Sequence, residues 1–457
     1  MRHPGILRFV VLSCAAGASL SAQLTLPQAV DDALRNYPAV RISEAQIDAA
    51  AAGIKLARTA YLPRADAVAQ VNRATRNNVF GLLLPAGGAI PSMSGPVIGS
   101  NNFGTAWGSA VGALVSWEPF DFGLRRANLQ SAAAAKAQTE AALRRTRFEV
   151  AVAAADAYLT LAAAQETVRA AQAGVERGET VLRTIQALVG ATLRPGADAS
   201  RAEAELAAAR TEWIQAQQAA DVARATVAQF VGMEPARIVI AAPGLLQLPP
   251  ERNAAPLDTA AHPVAIEQNA VVAQAQAQLR ALERSYFPRF YLQGAAYARG
   301  TGAETDGRLL GGLNGLAPSV QDYALGFTVS FPVADLPAVQ AREAAQSASV
   351  RAQAARSQQI STDLRAQWNI AVATVQGARR IAANTPVQVS AARAAADQAT
   401  ARYKSGLGNV DAVAEAQRLL TQAEIDDALA RLGVWRGLLA VATAAGDIQP
   451  FVAEAGQ

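Results

Sequence analysis

Strict alternation of large apolar and small residues marks the stretch Tyr323-Ala-Leu325-Gly-Phe327-Thr-Val329-Ser-Phe331. Successive side chains of a β-strand point to opposite faces, so this pattern predicts a strand with one apolar face and one small, polar face. The stretch from Trp107 to Trp117 has the same pattern, with Trp107, Val111, Ala113, Val115 and Trp117 on its apolar face. The burial of these two apolar faces decides the fold.

Each of these strands has a predicted partner upstream. Arg289-Phe290-Tyr291-Leu292-Gln293 follows Pro288, and Arg64-Ala65-Asp66-Ala67-Val68 follows Pro63. The pairs predict two β-hairpins, at about 64–118 and about 289–333, and hence four strands per chain. The connecting loops are rich in Gly, Asn, Pro and Ser and are expected to be exposed.

The two hairpins belong to two copies of one unit. A displacement of 225 positions aligns Tyr61-Leu62-Pro63-Arg64 with Tyr286-Phe287-Pro288-Arg289, and a displacement of 214 aligns Leu193 with Leu407. Ordered matches of this kind predict a tandem duplication. We expect a first repeat at 23–232, a linker at 233–261, a second repeat at 262–446 and a short irregular tail at 447–457.

A long helical segment follows each β-hairpin. The proline-free segment from Leu124 to Leu188 predicts a helix of about 65 residues, roughly 100 Å long. With their return helices, the two segments predict antiparallel helical hairpins at about 124–231 and about 338–445. Asp198-Ala199-Ser200 is expected to cap the first return helix, and Pro386 is expected to interrupt and kink the second long helix.

The composition favours thin helical packing over a large globular core. Aromatic residues make up 5% of the chain and charged residues 17%, while Ala is abundant. Residues 1–22 are predicted to be a secretory signal peptide. Arg2 and Arg8 precede an apolar run, and small residues that suit a cleavage site follow that run. Removing them lowers the formal charge from +4 to +2, which argues against a nucleic-acid partner.

The sequence gives no indication of catalysis, a cofactor or a bound metal. The only cysteine, Cys14, lies in the signal peptide, although a lipid attached to it is an alternative. Beyond that peptide the chain has one histidine, His262, with no His or Cys partner for a metal site. A phosphate-binding loop is also absent from the sequence, so we do not expect an enzyme.

Four strands cannot close a barrel, and lipid does not tolerate an open sheet edge. Three chains would supply twelve strands, an even number within the range of membrane barrels. The sequence therefore predicts a mainly α protein with a small membrane β part: long antiparallel helical hairpins forming a trimeric α-barrel, four strands per chain contributing to a 12-stranded β-barrel, and two tandem repeats.

Aromatic residues near the strand ends favour the girdles of such a barrel over a soluble β-sandwich. A free-standing coiled coil is the alternative when the helices are considered alone. The predicted lipid-facing residues are Trp107, Val111, Val115, Trp117, Phe290, Leu292, Tyr323, Leu325, Phe327, Val329 and Phe331.

Several motifs resemble the TolC-like outer-membrane efflux proteins, in order and over the whole mature length. Leu24-Thr-Leu-Pro-Gln-Ala-Val30 and Asn36-Tyr-Pro38 resemble the opening helix, and Tyr61-Leu-Pro63 resembles the first helix-to-strand joint. Trp117-Glu-Pro-Phe120-Asp-Phe-Gly123 is similar to the strand-to-helix signature, and Arg402-Tyr403-Lys-Ser-Gly406-Leu407 to the tip of a helical hairpin.

The resemblance implies a homotrimer in the lipid of the outer membrane, with its helical part in the periplasm. Its function would be the passive exit duct of a tripartite efflux pump, together with a periplasmic adaptor (a membrane fusion protein) and an inner-membrane transporter of the RND or ABC type. One alternative is the outer-membrane component of a type I protein secretion system. A periplasmic coiled-coil adaptor or scaffold is a weaker one, because the sequence lacks lipoyl-like segments and contains the alternating strands.

The resemblance also implies a gate, since the family closes its periplasmic end with a tyrosine at the second tip and acidic rings beyond it. Tyr403 matches the tyrosine, Glu415 matches one acidic ring, and Asp411 stands next to Ala412 at the other. Asp198 matches an acidic partner in the first repeat. The implied adaptor contacts at the two tips are Leu193, Gly406 and Leu407, with Thr192 where the family usually has Gly.

Overall fold

A computed structural model describes residues 23–75, 104–240, 243–251, 256–304, 308–331 and 333–456. The predicted signal peptide with Cys14, and most of the loop expected between the first two strands, lie outside the described residues. The elements are α1 (Leu26–Asn36), α2 (Pro38–Thr59), β1 (Arg64–Thr75), β2 (Thr105–Phe120), α3 (Leu124–Gly190), α4 (Gly196–Val231), α5 (Pro263–Glu283), β3 (Arg289–Thr301), β4 (Val320–Ser330), α6 (Leu336–Lys404), α7 (Val410–Ala445) and α8 (Gln449–Ala455). The prediction of a mainly helical chain with four strands in two repeats is confirmed.

The chain divides into two compact units, and each repeat contributes to both. One, here called the helical unit, comprises the chain up to Arg41, Arg144–Pro263 and the chain from Ser361 onward. The other, the sheet unit, comprises Ile42–Leu143 and Val264–Ile360. The four boundaries fall within α2, α3, α5 and α6, so the repeats and the compact units are different divisions of the chain.

The sheet unit contains one antiparallel sheet in the order β1-β2-β3-β4. Trp117 lies opposite Leu292, which lies opposite Phe327. Directly opposed residues share a face of an antiparallel sheet. The apolar alternation of the separate strands therefore adds up to one continuous apolar face. The opposite face is polar and carries the ion pairs Arg64–Asp66 at 3.0 Å and Arg299–Asp322 at 2.9 Å.

A compact joint connects β2 to α3 in the sheet unit. The Asp121 carboxylate accepts hydrogen bonds from the backbone N–H groups of Gly123 (3.1 Å) and Arg125 (2.6 Å), and from the Arg125 side chain (2.9 Å). Arg125 is 7% exposed and its guanidinium lies 5.0 Å from the centre of the Tyr61 ring. These contacts satisfy donors at the start of α3 that have no partner within the helix. They fix the point where the strand ends and the long helix begins.

The first return helix begins earlier than the sequence pattern predicts. Pro195 is the N-cap of α4, with φ −66° and ψ 144°. The backbone N–H of Asp198 already bonds to the Pro195 carbonyl at 3.1 Å, so the prediction that Asp198-Ala199-Ser200 caps this helix is wrong. Asp198 instead lies in the first turn, where a carboxylate is favoured by the helix dipole.

Two further expectations fail along the second repeat. Helix α6 continues through Pro386, so the predicted interruption does not occur. The expected irregular tail contains helix α8, in which Phe451 and Val452 are buried. Phe451 packs edge-on to Trp435 of α7, with ring centres 6.3 Å apart. Burial of this apolar pair stabilises a helix in the tail, which the short length of the segment did not lead us to expect.

Helix α7 is, among the described residues, long and apolar enough to cross a membrane by length and composition, with mean hydropathy 1.3. Twelve of its residues are buried within the protein, Leu420, Leu432 and Trp435 among them. Packing inside the helical unit therefore accounts for part of its apolar character.

Candidate functional site

Tyr403, at the end of α6, anchors the second helical hairpin to the first. Its side chain is 2% exposed and belongs to an apolar cluster with Ile185 of α3, Ala202 of α4, and Val410 and Val413 of α7. All four long helices of the helical unit therefore meet at this residue. A side chain this large and this buried is a major apolar contact between the two hairpins.

The Tyr403 hydroxyl donates a hydrogen bond of 2.8 Å to Asp198 Oδ2 in α4. Burial, and then the neighbouring Asp198 carboxylate, raise the pKa of Tyr403 to about 12. The phenol therefore stays protonated and able to donate at every physiological pH. The structure thus brings together two of the predicted gate residues.

Arg194 completes the contacts around Tyr403 and was missed in the sequence analysis. Its guanidinium lies 4.3 Å from the centre of the Tyr403 ring, and its Nη2 donates to the Tyr403 backbone carbonyl. The two residues are 209 positions apart and belong to different repeats. No local spacing or motif marks such a pair.

Asp411 and Glu415, the other predicted gate residues, belong to a chain of ion pairs between α4 and α7. Asp411 lies 3.2 Å from Arg201, and Glu415 pairs with Arg418, which lies 3.8 Å from Glu205. The side chains of Asp411 and Glu415 are 56% and 71% exposed. Exposed pairs of this kind contribute about 0–1 kcal/mol each. The arginines were missed, although the three-residue spacing of Glu415 and Arg418 is a signal for one pair.

A less exposed ion pair lies farther along the same helices. Glu424 of α7 is 3.0 Å from Arg177 of α3 and 3.2 Å from Arg393 of α6, with its side chain 19% exposed. Arg177 also donates to the Thr421 hydroxyl at 2.8 Å. Glu424 therefore joins three helices, and sequence analysis did not single it out.

The two hairpin tips have the same backbone geometry. At the first, the N–H groups of Thr192 and Leu193 bond to the carbonyls of Val189 and Leu188; at the second, those of Gly406 and Leu407 bond to Tyr403 and Arg402. This is the Schellman arrangement, which requires a left-handed residue after the helix. Thr192 and Gly406 take that position with φ of 63° and 84°.

The predicted docking leucines stand at the outermost positions of these tips. Leu193 is 69% exposed and Leu407 is 74% exposed. In a Schellman turn this residue often packs back on its own helix. Here both side chains instead project into solvent, where they are free to contact another molecule.

The predicted lipid-facing residues lie together on the apolar face of the sheet, except that Phe331 follows the last residue of β4. Tyr323, Leu325 and Phe327 are 85%, 83% and 63% exposed. At the far end of β2, the Arg73 guanidinium lies 5.2 Å from the centre of the Trp107 ring. A contiguous exposed apolar face of this kind marks a membrane or protein contact.

His262 is a buried structural residue. It is 3% exposed, and its Nε2 lies 3.1 Å from the Thr443 carbonyl. Burial lowers the pKa of His262, so the ring is neutral near pH 7. Among the described residues, no three His, Cys, Asp or Glu side chains are grouped to hold a metal ion.

Thr192→Gly is expected to stabilise the protein. A β-branched residue in the left-handed region costs about 1–2 kcal/mol, and glycine adds about 0.5–1 kcal/mol of unfolded-state entropy. The net gain, up to about 1.5 kcal/mol, should raise the unfolding midpoint followed by circular dichroism in detergent. Ala191→Gly, one residue earlier and outside the left-handed region, is the control and should lower the midpoint. A lower midpoint for Thr192→Gly would contradict the assignment of strain.

The model of the outer membrane efflux protein family matches residues 29–233 and 266–447. No curated protein matches the chain. The solved outer-membrane channel OprN is 22% identical, with a TM-score of 0.72 over 92% of this chain and 89% of that one.

Two other solved structures show the same likeness. VceC from Vibrio cholerae is 17% identical, with a TM-score of 0.71 over 92% of this chain and 96% of its own. The open state of the Neisseria gonorrhoeae channel MtrE is 18% identical, with a TM-score of 0.68 over 92% and 89%. At such identities the likeness shows a shared fold. The family match, which spans more than four fifths of the sequence, shows that the chain belongs to the outer membrane efflux protein family.

Proposed function

We propose that three copies of this chain form a channel in the outer membrane, the passive exit duct of a tripartite efflux pump. The observation that carries the proposal is the sheet, which exposes an apolar face and pairs β1 and β4 on one side only. Because lipid cannot satisfy a free strand edge, β1 of one copy must pair with β4 of the next. Three copies would close a barrel of twelve strands, with the polar face lining a bore.

The exposed faces of α4 and α6 support self-association in the helical unit. Each carries a stripe without charged residues, repeating every three or four positions: Ala204, Ala207, Thr211, Ile214, Gln218, Val222 and Ala225 on α4, and Ala366, Ile370, Ala373, Gly377, Ile381, Asn384, Val387, Ala391 and Ala394 on α6. By contrast, the exposed face of α7 carries Asp411, Glu415 and Arg418. A charge-free stripe at heptad spacing is typical of a helix that packs against another helix.

The two stripes match in height above the tips. Ile214 lies about 27 Å along α4 from Gly196, and Val387 about 26 Å along α6 from Lys404, at 1.5 Å per residue. The bond between Tyr403 and Asp198 holds the two tips at one level. We therefore infer that α4 of one copy packs against α6 of the next. A repeated head-to-tail contact of this kind closes into a ring.

A double variant Ile214→Cys/Val387→Cys in a Cys14→Ser background tests this contact. The sequence has no other cysteine, so oxidation should give covalent dimers and trimers on non-reducing gels. Each single variant, and the pair Ile214→Cys with Gln422→Cys on the charged face of α7, should remain monomeric on the same gels. If the matched pair stays monomeric while the controls assemble normally, the proposed contact is wrong.

We further propose that Tyr403, Asp198, Asp411 and Glu415 form the gate at the periplasmic end. Tyr403 and Asp198 supply a partly buried hydrogen bond between the hairpins, and Asp411 pairs with Arg201 of α4. Glu415 pairs with Arg418 of its own helix, and Arg418 in turn lies 3.8 Å from Glu205 of α4. Opening would separate the second hairpin from the first and break these contacts.

Tyr403→Phe and Asp198→Asn are expected to raise the leak conductance of the purified protein in planar bilayers. Losing a hydrogen bond to a charged group costs about 1.5–3 kcal/mol, so we expect an increase on the order of tenfold. Tyr61→Phe removes a hydroxyl from the sheet unit and should conduct like the wild type. Equal conductance of Tyr403→Phe and the wild type would remove this bond from the gate.

The tips formed by Leu193, Gly406 and Leu407 are proposed to dock a periplasmic adaptor, which links the duct to an inner-membrane transporter of the RND or ABC type. The support is the pair of exposed leucines held on matching turns. The outer-membrane component of a type I secretion system would use the same duct and tips with a protein as cargo.

Leu407→Asp should abolish export in cells that carry the partner proteins, because a charge replaces an apolar contact at the docking surface. The matched control is Leu313→Asp, since Leu313 is 73% exposed and lies in the loop between β3 and β4. Both variants should assemble as the wild type does. Export by Leu407→Asp at the wild-type level would refute docking at this tip.

A further inference from the structure

Two residues of the first tip enclose Tyr403 of the second. Asp198 Oδ2 accepts a hydrogen bond of 2.8 Å from the Tyr403 hydroxyl. Arg194 places its guanidinium 4.3 Å from the ring centre and donates to the backbone carbonyl. The ring face, the hydroxyl and the main chain of Tyr403 are therefore all held by residues on either side of Pro195.

The backbone around Arg194 limits its freedom. Proline restricts the preceding residue to extended conformations, and Pro195 itself has φ −66°. The backbone of Arg194 is therefore confined to a narrow range of φ and ψ angles. A planar guanidinium held in this way loses less rotational freedom on binding than a free side chain.

The Tyr403 carbonyl is a favourable acceptor for a cation. It lies in the last turn of α6, where the helix dipole is negative, and it accepts one hydrogen bond from the Gly406 N–H, which leaves a second lone pair for Arg194. At this position Arg194 acts both as a helix cap and as a partner for the aromatic ring.

The duplication shows that these contacts belong to one tip only. The displacement of 214 positions sets Gly408 against Arg194, Ala412 against Asp198 and Val189 against Tyr403. The two tips have the same backbone turn. Arg194 and Asp198 occur only in the first tip, and Tyr403 occurs only in the second.

We propose that Arg194 is the positioning residue of the gate: by covering the ring and capping the carbonyl of Tyr403, it latches the second hairpin to the first. The proposal rests on the gating function proposed above and adds a residue to it. The latch surrounds a side chain that is 2% exposed, whereas Asp411 and Glu415 form pairs that are mostly exposed. Salt and water weaken exposed pairs far more than enclosed contacts.

The test compares Arg194→Ala, Arg194→Gln and Arg194→Lys with the wild type as purified assemblies in planar bilayers. Arg194→Ala should raise the open fraction about tenfold, because a cation–π contact and a charged hydrogen bond are lost together. Lysine keeps the charge without the planar face, so Arg194→Lys should give a smaller increase. Arg194→Gln keeps a hydrogen-bond donor at this position. If Arg194→Ala does not assemble, the open fraction of Arg194→Gln tests the proposal.

A cycle with Tyr403→Leu separates a latch from general destabilisation. If Arg194 acts through Tyr403, Arg194→Ala should raise the open fraction less in the Tyr403→Leu background than in the wild type. Equal effects in both backgrounds would overturn the proposal.

Wild-type leak for Arg194→Ala and Arg194→Gln, together with a raised leak for Tyr403→Phe, would also overturn the latch and leave the gate intact. If neither the wild type nor Tyr403→Phe conducts, the proposed channel function itself fails, and the latch fails with it.

Discussion

The apolar face of the sheet is the constraint on which the rest of the structure depends. Four strands present Tyr323, Leu325, Phe327 and their cross-strand neighbours to one side, and ion pairs such as Arg299–Asp322 to the other. In water such a face would aggregate, and the unpaired edges of β1 and β4 would add to that tendency. Lipid satisfies the face, and only further strands satisfy the edges. In the proposed channel, self-association follows from the backbone hydrogen bonds that the edges of β1 and β4 still need.

Strands and helices that follow from local periodicity could be predicted from the sequence. Contacts between the two repeats could not. The alternation in 323–331 and the proline-free segment from Leu124 to Leu188 were sufficient for strand and helix. The α4 start was misplaced because Pro195 takes the cap position that Asp198 was expected to fill. The contacts of Arg194 and Arg177 join residues more than 200 positions apart, and no spacing in a single sequence reveals such pairs. The left-handed backbone of Thr192 could have been predicted, because the repeat aligns this residue with Gly406.

Duplication has kept the backbone of the two repeats while their side chains diverged. Both tips form the same turn, although one uses Thr192 and the other Gly406 at the left-handed position. The joints differ in a similar way. Asp121 and Arg125 form a nearly buried ion pair at the start of α3, and the displacement of 214 positions sets Asp335 and the buried Val339 in their places. The divergence places the two groups that contact Tyr403 in the first repeat and Tyr403 itself in the second.

The strength of the contacts at Tyr403 suits the proposed gate, in which binding of a partner supplies the free energy of opening. Shifting a two-state equilibrium from mostly closed to mostly open requires about 5.5 kcal/mol of differential binding. The exposed pairs of Asp411 and Glu415 supply about 0–1 kcal/mol each, and the hydrogen bond of the Tyr403 hydroxyl supplies about 1–3 kcal/mol. Burial of Leu193 and Leu407 against a partner would return about 3–6 kcal/mol per copy, because each fully buried leucine contributes about 1.5–3 kcal/mol. A closed state held by fewer contacts would leak, and one held by a larger apolar core would not yield to binding at the tips.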